Sequence, residues 1–548
     1  MPTTLIRNAH LVGYPTGSTY SVFVKDGTVT SITETGSHEE EADEIINVND
    51  LDAQWVSPSL IDWHTHTTLN ALHSHRLDLQ TAKSAQDVLD RVLDAFDDPK
   101  YAAVKGCSDF TGINMRNASW PDPEVLTRQA LDKISTKRPI YLFFNGYHSI
   151  CANSVGLELG GYEPEGHSGY LFEDEAFAMA RVIGKVDVDA MDEWVWDESR
   201  YAASLGVTEI VDLEWDFGIP NWQRRYAKGF RSLRVHVGMY TEHLQHSINL
   251  SLKTGDPVPN TNGLITVGPF KIVTDGSLGS QTAFCHDAYP GTPGNFGMKT
   301  YEPEELGVLV KRGADNGFKV AIHAIGDHAN QLTLQTLARA EAILPGSTIE
   351  HAQLLSHSDL ALFKSLGITA SIQPCHLVDD RDLCHKFWPG REGRAYAFRW
   401  LVDAGIPIKM GSDCPVAPLQ PWEAMAVAIT RAGAGDEENP FCKEQIIDLE
   451  NGKSKLEVGD RADLLIISND PLSCDAAGLR AMKLCRTLPI FRLSLTLSPP
   501  FATSTKSPSL IVPAEARPDK ISHDDAISVR YVDLPPSADG FFHFTQTI

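Results

Sequence analysis

One repeating pattern of apolar and polar positions fills the middle of the chain, from residue 58 to residue 453. A short apolar run is followed by polar or glycine-rich residues and then by a longer segment whose apolar positions have helical spacing. Alternating strands and helices of a parallel α/β barrel produce this pattern. It predicts eight barrel strands: Leu60–Trp63, Glu209–Leu213, Arg234–Met239, Phe270–Val273, Lys319–Ile322, Thr348–Glu350, Thr369–Ile372 and Pro407–Met410. The predicted fold class is therefore α/β, a (β/α)8 barrel of the TIM type.

Short β-rich runs at both ends of the chain predict a second, smaller domain. Residues 1–57 alternate such runs with turn signals such as Asp26-Gly27, and residues 454–488 offer a turn followed by an apolar strand. We expect these two stretches to complete one small β-sandwich. The long gap between the first and second barrel strands, about residues 70–195, is then an insertion. The Pro-, Ser- and Thr-rich residues 489–548 are expected to form an atypical, poorly ordered tail.

Charge and cysteine content restrict the partners and the compartment of this protein. Lys and Arg total 47 against 72 Asp and Glu, and the resulting net charge of −25 disfavours nucleic acid and anionic lipid surfaces. The nine cysteines include no C-x-x-C pair, so reduced thiols are the simplest interpretation. The sequence shows neither a secretion signal nor a long apolar run. We expect a cytoplasmic protein that acts on a small molecule, binds no nucleic acid or membrane, and forms a homodimer.

Four histidines and one aspartate stand at the carboxyl ends of predicted barrel strands. His64 and His66 lie two residues apart at the end of the first strand, where alternation turns both side chains toward the barrel axis. His323, His351 and Asp413 each follow the apolar run of a later strand. For any one of them alone, an ordinary polar residue at a strand–loop junction is the simpler interpretation. Together they predict a metal site, because active-site groups converge at this end of a barrel and zinc or iron accepts imidazole and carboxylate ligands.

Nine motifs resemble those of the amidohydrolase superfamily and, within it, the branch of YtcJ-like proteins and N-substituted formamide deformylases. They are LIDWHTH, GYHSICANSVGL, GVTEIVDLE, FKIVTDGSLGSQTA, VAIHAIGDHANQ, IEHAQLL, ASIQPCH, MGSDCPVAPLQPWEAM and VGDRADLLIISNDPL. The resemblance covers about residues 1–485 and implies a metal-dependent hydrolase barrel. It also implies a ligand set for divalent metal: His64, His66 and Asp413 for one ion, His323 and His351 for a second, and a carboxylated lysine between them.

Lys271, on the fourth predicted strand, is the candidate for this bridging lysine. Two adjacent cations would repel an ordinary ammonium with a pKa of about 10.4, whereas a lysine carbamate is an anionic oxygen ligand. An unmodified Lys271 paired with Asp275 or another carboxylate, beside a single metal, remains the alternative. We expect zinc, with iron or manganese as alternatives, at one or two ions per chain.

The expected activity is hydrolysis of a non-peptide C–N bond, of the amide or formamide type, in a small molecule. Metal-activated hydroxide is the expected nucleophile, and Asp413 is the predicted catalytic residue that accepts its proton and delivers it to the leaving nitrogen. Asp327 is expected to orient a ligand histidine. Substrate contacts are predicted for four residues, each with a loop-capping role as the alternative: His148, Asp275, Gln373 and His376.

The carboxyl-terminal part of the chain departs from the family pattern. Few residues separate Arg431 from Lys455, where the family carries a longer helical stretch, and after Leu488 the expected closing strand gives way to residues 489–548. A catalytically impaired or aberrantly spliced relative is therefore the alternative to an active hydrolase, because a shortened region could expose the barrel core at the eighth strand. A metal-free isomerase or decarboxylase on the same scaffold is a third, less favoured interpretation.

Overall fold

The computed structural model describes three β-sheets with helices packed around them. The described residues are 3–37, 40–101, 108–115, 120–144, 149–172, 175–176, 178–179, 183, 186–340, 343–449 and 455–488. The predicted tail, residues 489–548, and the predicted substrate residue His148 lie outside them. Each helix in the described ranges is too short or too polar to cross a lipid bilayer.

The strands and helices of the described residues follow in chain order. The strands are β1 Thr4–Leu11, β2 Tyr20–Lys25, β3 Thr28–Glu34, β4 Glu44–Asn47, β5 Trp55–Pro58, β6 Leu60–Thr65, β7 Leu77–Asp78, β8 Phe110–Met115, β9 Ile140–Phe144, β10 Ser149–Ala152, β11 Tyr170–Phe172, β12 Val207–Asp212, β13 Arg234–Met239, β14 Ile265–Val273, β15 Val320–Ala324, β16 Thr348–His351, β17 Thr369–Ile372, β18 Ile408–Met410, β19 Leu464–Ile467 and β20 Leu484–Leu488. The helices are α1 Thr67–Ser74, α2 Ala85–Ala95, α3 Arg128–Asp132, α4 Ser154–Leu159, α5 Val188–Ser204, α6 Ile219–Ala227, α7 Thr241–Asn249, α8 Pro303–Asp315, α9 Asp327–Ala340, α10 Leu360–Ser365, α11 His376–Phe387, α12 Phe398–Asp403, α13 Pro421–Thr430 and α14 Ala476–Arg480.

Eight parallel strands form the predicted barrel. They run in the order β6, β12, β13, β14, β15, β16, β17, β18, and every neighbouring pair in this order is parallel. All eight predicted strands are present, with small differences at their ends. β12, β15, β16 and β17 are buried along their whole length, as expected for strands covered on both faces. The α/β barrel prediction is confirmed.

The first and last barrel strands meet at the carboxyl end of the barrel. The backbone N–H of Asp413 donates to the carbonyl of His64 at 2.7 Å, and the N–H of His66 donates to the carbonyl of Cys414 at 2.9 Å. Gly411 allows this close approach, because a Cβ atom at this position would lie only 2.7 Å from the backbone nitrogen of His64. The bonds that join the barrel ends therefore also hold three of the predicted metal ligands side by side.

The two ends of the chain share one seven-stranded sheet. Its order is β20, β19, β5, β1, β2, β3, with β4 paired to β1. β19 and β20 come from the carboxyl-terminal side, and β19 pairs with β5 in antiparallel register from Leu464↔Pro58 to Ile467↔Trp55. Buried residues from both ends, among them Val22, Val56 and Leu464, pack in one apolar cluster. This arrangement fits the predicted β-sandwich domain.

The insertion between β6 and β12 contains a sheet of its own. Five strands pair in the order β11, β10, β9, β8, β7, with parallel pairing from β7 to β9 and antiparallel pairing from β9 to β11. Its two faces pack against separate apolar clusters, one around Leu126 and Leu142 and one around Tyr141 and Leu157.

The shortened region after the eighth strand packs closely on the barrel. α13 follows β18, and the described residues 431–449 contain the short 3-10 turn Lys443–Gln445 in place of an α-helix. Phe441 and Ile447 from this region lie in the main apolar core. Arg431, fully buried, donates from its guanidinium to the carbonyls of Ala395, Tyr396 and Phe441. The described part of the region therefore covers the barrel without the additional helix.

Replacing Arg431 with methionine is expected to lower the free energy of unfolding by roughly 2–4 kcal/mol, because three buried carbonyls lose their donor. Chemical denaturation followed by circular dichroism measures the change. Arg399→Met is the control, since the exposed Arg399 pairs with Asp403 at the surface, and no measurable change is expected there. Equal stability of Arg431→Met and the parent protein would contradict the anchoring role of Arg431.

Candidate metal centre

His64, His66 and Asp413 converge at the carboxyl end of the barrel. The Nε2 atoms of His66 and His64 lie 3.1 Å and 3.4 Å from the same Asp413 oxygen, Oδ1. The pairing of β6 with β12 shifts register between Ile210 and Asp212, next to the two histidines. Ligands at 2.0–2.2 Å around a tetrahedral ion lie about 3.4 Å apart, so the spacing of the three atoms suits one ion.

Asp413 adopts a backbone conformation that is uncommon for a residue with a side chain. Its φ is 58°, in the left-handed region, where most non-glycine residues are strained. The hydrogen bond from its N–H to His64 and the adjoining bond from His66 to Cys414 hold this turn. The chain thereby turns the carboxylate back toward the two histidines of β6.

A second group of possible ligands also includes Asp413. His351, His376 and Asp413 offer ligand atoms that all lie within 4.8 Å of one another. His376 is the first residue of α11, and its Nε2 lies 3.7 Å from Asp413 Oδ2. Asp413 therefore faces two histidines with one oxygen and His376 with the other. His376, predicted as a substrate contact, is thus also placed where a metal ligand could lie.

His323 lies beside this second group without being part of it. Its ring centroid is 4.6 Å from that of His351, and its Nε2 lies 3.4 Å from Asp275 Oδ1 and 3.4 Å from the carbonyl of Gly276. The structure thus brings His323 to the same end of the barrel as the other predicted ligands, with its Nε2 directed at the loop after β14.

Lys271 is buried at the centre of the predicted ligands. Its Nζ lies 3.2 Å from His64 Nε2, the atom that also faces Asp413. Burial lowers the pKa of Lys271, while the negative charges of Glu350 and Asp413 act in the opposite direction. A lysine with a lowered pKa is more easily the neutral amine, the form that reacts with carbon dioxide to give a carbamate.

Electrostatics favour the neutral imidazole at His64 and His351 and the ionised carboxylate at Asp413, whereas at His66 burial acts to lower the pKa but the contact with Asp413 outweighs it and raises that pKa. Burial, and then the positive charge of Lys271, lowers the pKa of His64 to about 4, and burial holds that of His351 well below its usual range. Burial acts to raise the pKa of Asp413, but the neighbouring His64 and His66 outweigh it and lower that pKa. Neutral imidazole and carboxylate are the protonation states that bind divalent metals.

Two acidic residues at the centre, the buried Glu350 and the partly buried Glu214, were not predicted from the sequence. Glu350 Oε2 lies 2.7 Å from Nδ1 of His64, and Glu214 Oε1 accepts a hydrogen bond from the N–H of Leu69, three residues after His66. Burial acts to raise the pKa of Glu350, but the hydrogen bond and charge of His64 outweigh it and lower the pKa to about 2. Glu214 follows the end of β12 almost directly, the same signal that identified the histidines, and could have been found in this way.

The other predicted substrate residues have different surroundings. Asp275 is fully buried, and both of its carboxylate oxygens accept hydrogen bonds from backbone N–H groups. Oδ1 accepts from Ile325 at 3.0 Å, and Oδ2 accepts from Gly326 at 2.8 Å and from Phe284 at 2.9 Å. These bonds suit a residue that holds the loops after β14 and β15. Gln373 lies closer to the ligands, with its Nε2 3.5 Å from His64 Nδ1.

Asp327, predicted to orient a ligand histidine, instead holds neighbouring loops. It accepts a hydrogen bond from the His286 N–H at 3.0 Å and pairs with Arg394 at 3.0 Å. No contact with His64, His66, His323 or His351 is among its hydrogen bonds in the described structure.

The hydrogen bonding of the cluster fits a divalent cation. Among the described residues, Asp413 Oδ1 and His376 Nε2 are buried without a hydrogen-bond partner. Buried polar atoms are rarely left unpaired, and here these atoms lie next to other electron-pair donors. A cation accepts electron pairs from all of them at once. The residues present therefore fit the metal that the fold implies.

Comparisons with known proteins show which sequences and which fold this chain resembles. The chain is 28% identical over 463 residues to Protein LONG AFTER FAR-RED 3 of Arabidopsis thaliana, covering 78% of this chain and 74% of that protein. It is 24% identical to the putative amidohydrolase YtcJ of Bacillus subtilis (86% and 94% covered) and 23% identical to the N-substituted formamide deformylase of Arthrobacter pascens (80% and 88%). The fold matches the crystal structure of an uncharacterized metal-dependent hydrolase from Pyrococcus horikoshii with a TM-score of 0.70 at 21% identity, covering 87% of this chain and 99% of that one.

The match to a protein family extends over the barrel and part of the sandwich. Residues 47–489 match the amidohydrolase family Amidohydro_3, which includes every strand of the barrel and every residue of the candidate metal centre. The YtcJ-like and formamide deformylase relatives support the branch that the motifs indicated. The chain therefore belongs to the amidohydrolase family.

Proposed function

We propose that this protein hydrolyses a non-peptide C–N bond, of the amide or formamide type, in a small molecule. The observation that carries the proposal is the position of Asp413, whose Oδ1 faces His64 and His66 and whose Oδ2 faces His376. A carboxylate shared in this way suits both metal binding and proton transfer. The N-substituted formamide deformylase relative supports formamides as the first substrate class to test.

His64, His66 and Asp413 would hold the first divalent cation, with His351, His323, Lys271 and His376 available for a second. Bound zinc, iron or manganese supplies Lewis acidity and makes water nucleophilic at neutral pH. Asp413 takes the proton from the attacking water and passes it to the leaving nitrogen, which departs as an amine. Gln373 and His376, beside the ligands, contact the substrate.

Purified protein is expected to contain one to two equivalents of zinc, iron or manganese, because the clustered imidazoles and carboxylate are otherwise left unpaired in the barrel. Elemental analysis of protein grown with all three metals measures the content. His64→Ala is expected to lose most of it, and His75→Ala, at a histidine stacked on Trp194 away from the centre, is the control. Metal far below one equivalent in the parent protein would contradict a metal-dependent reaction.

The substrate class is tested with metal-loaded protein. Matched pairs of N-formyl and N-acetyl derivatives of the same amines are incubated with the enzyme, and release of the free amine is measured. Amine release that disappears with metal chelation and returns with added metal is the expected result. Fully metal-loaded protein that releases no amine from any compound of the panel would contradict the proposed C–N bond class.

A further inference from the structure

The two ring nitrogens of His64 face chemically different neighbours. Nε2 faces Asp413 Oδ1 at 3.4 Å and Lys271 Nζ at 3.2 Å, on the side of the proposed cation. Nδ1 lies 2.7 Å from Glu350 Oε2. His64 and Glu350 are 1% and 2% exposed, so water has almost no access to either side chain.

The contact with Glu350 determines which nitrogen of His64 carries the proton. An ionised carboxylate only accepts hydrogen bonds, so Nδ1 must be the donor, and Nε2 then keeps its lone pair. The amide nitrogen of Gln373 also lies near Nδ1, at 3.5 Å, but two donors cannot bond to each other. The shorter contact therefore fixes both the tautomer and the ring orientation, with the free lone pair directed at the proposed cation.

The backbone of β16 brings Glu350 to this position. Consecutive residues of a strand normally point to opposite faces, yet Glu350 and the next residue, His351, both contact the centre. His351 has a φ of 71°, in the left-handed region, so the strand turns there and alternation ends. The Thr348 hydroxyl donates to the other oxygen of Glu350, Oε1, and so limits rotation of the carboxylate.

Two other histidines of the centre lack such a partner at Nδ1. Within the described ranges, Nδ1 of His66 and Nδ1 of His351 are buried without a hydrogen bond. His323 faces the buried Asp275, but with its Nε2 at 3.4 Å and beside the carbonyl of Gly276. Among these four histidines, His64 therefore has the shortest contact with a buried carboxylate. From this contrast we infer that Glu350 is a positioning residue, which presets the His64 lone pair for a divalent cation and thereby raises the affinity of the site. This inference rests on the proposed metal-dependent function.

Glu350→Gln tests the inference, with Glu209→Gln as a matched control. Glu209, 5% exposed and on barrel strand β12, also contacts a histidine, since its Oε1 lies 2.6 Å from His236 Nε2. Neither residue belongs to a group of possible metal ligands in the described part of the chain. Zinc affinity of the apoprotein is measured by competition with a chromophoric chelator, and cobalt-loaded protein gives the visible spectrum of the ligand field. Thermal melting of each apoprotein reports its stability.

Glu350→Gln is expected to bind zinc about 10–100-fold more weakly and to change the cobalt spectrum. The neutral amide oxygen is a weaker acceptor for Nδ1–H than the carboxylate, and the amide can also present its NH2 group, so it no longer fixes the tautomer of His64. Glu209→Gln is expected to change neither, whatever its effect on melting. Unchanged affinity and spectrum in Glu350→Gln, or an equal loss of affinity in both variants, would overturn the inference. The second result would mean that any buried carboxylate of the barrel supports the site only through stability.

Thr348→Val provides a second test if Glu350→Gln does not fold. It keeps the side-chain shape and removes only the hydroxyl that holds Glu350, so a smaller loss of zinc affinity in the same direction is expected. Parent-like affinity in Thr348→Val, with Glu350→Gln insoluble, would overturn the inference. A parent protein that binds neither zinc nor cobalt would instead contradict the proposed function, and the role of Glu350 with it.

Discussion

Asp413→Asn is expected to abolish turnover while leaving much of the metal bound. The asparagine side chain keeps an oxygen that can act as a ligand, but it cannot accept the proton of the attacking water or deliver one to the leaving nitrogen. General acid–base catalysis typically contributes about 10²–10⁴-fold, so kcat should fall by at least this factor. Elemental analysis and kcat, measured on the same preparation, separate the two effects.

His64→Ala is the comparison for Asp413→Asn, because it removes a ligand that carries no proton in the proposed reaction. Its metal content should fall further than that of Asp413→Asn, and its activity should recover in part with excess metal. Asp413→Asn should gain nothing from excess metal. If Asp413→Asn retains near-parent kcat on a verified substrate, another residue transfers the proton.

The barrel strands could be predicted from the sequence because burial on both faces leaves a short, uninterrupted apolar run. β13 and β17 have the predicted bounds, Arg234–Met239 and Thr369–Ile372. The candidate ligands were found by the same reasoning, since polar residues directly after such runs must lie at one end of the barrel. His64, His66 and Asp413 are brought together as this argument requires.

Glu350 could not be found in this way, because the sequence rule of alternation fails where the backbone leaves the strand conformation. If His351 points into the barrel, alternation places Glu350 on the outside. The φ of 71° at His351 reverses this expectation, and none of the residue types in Thr348–His351 predicts such a turn. Positive φ at Asp413 has the same consequence for its side chain.

The insertion was recognised by its length, but its sheet was not predicted. Its strands mix parallel and antiparallel pairs, and β7, with two residues, is too short to show a period of alternating burial.

The position of His376 could not be predicted from strand alternation either. It follows Gln373 in a turn that begins α11, so its approach to Asp413 depends on how the helix is placed and not on strand alternation.

Lys271→Ala is expected to reduce the metal content toward one equivalent and to remove most of the activity, if Lys271 carries a carbamate. The physical reason lies in the position of its Nζ, 3.2 Å from His64 Nε2, where an ammonium would repel a bound cation and an anionic oxygen would attract it. Without the bridge, the second cation keeps imidazole ligands, water and at most one oxygen of Asp413. Elemental analysis and kcat again measure the two losses.

An added small carboxylate should restore part of the metal content and part of the activity that Lys271→Ala loses. Formate or acetate can enter the space left by the side chain and supply an oxygen ligand, so both metal content and rate should recover in part at millimolar concentrations. Lys409→Ala is the control, because Lys409 is another barrel lysine, half-buried, whose ammonium lies over the ring of Trp63, at 3.5 Å from its centroid. Loss of stability without rescue is expected there, and the same behaviour in Lys271→Ala would identify Lys271 as a plain structural lysine. A Lys271→Ala protein with two metals and full rate would leave no role for a bridging carbamate, because the cluster would then hold both cations with histidine and Asp413 alone.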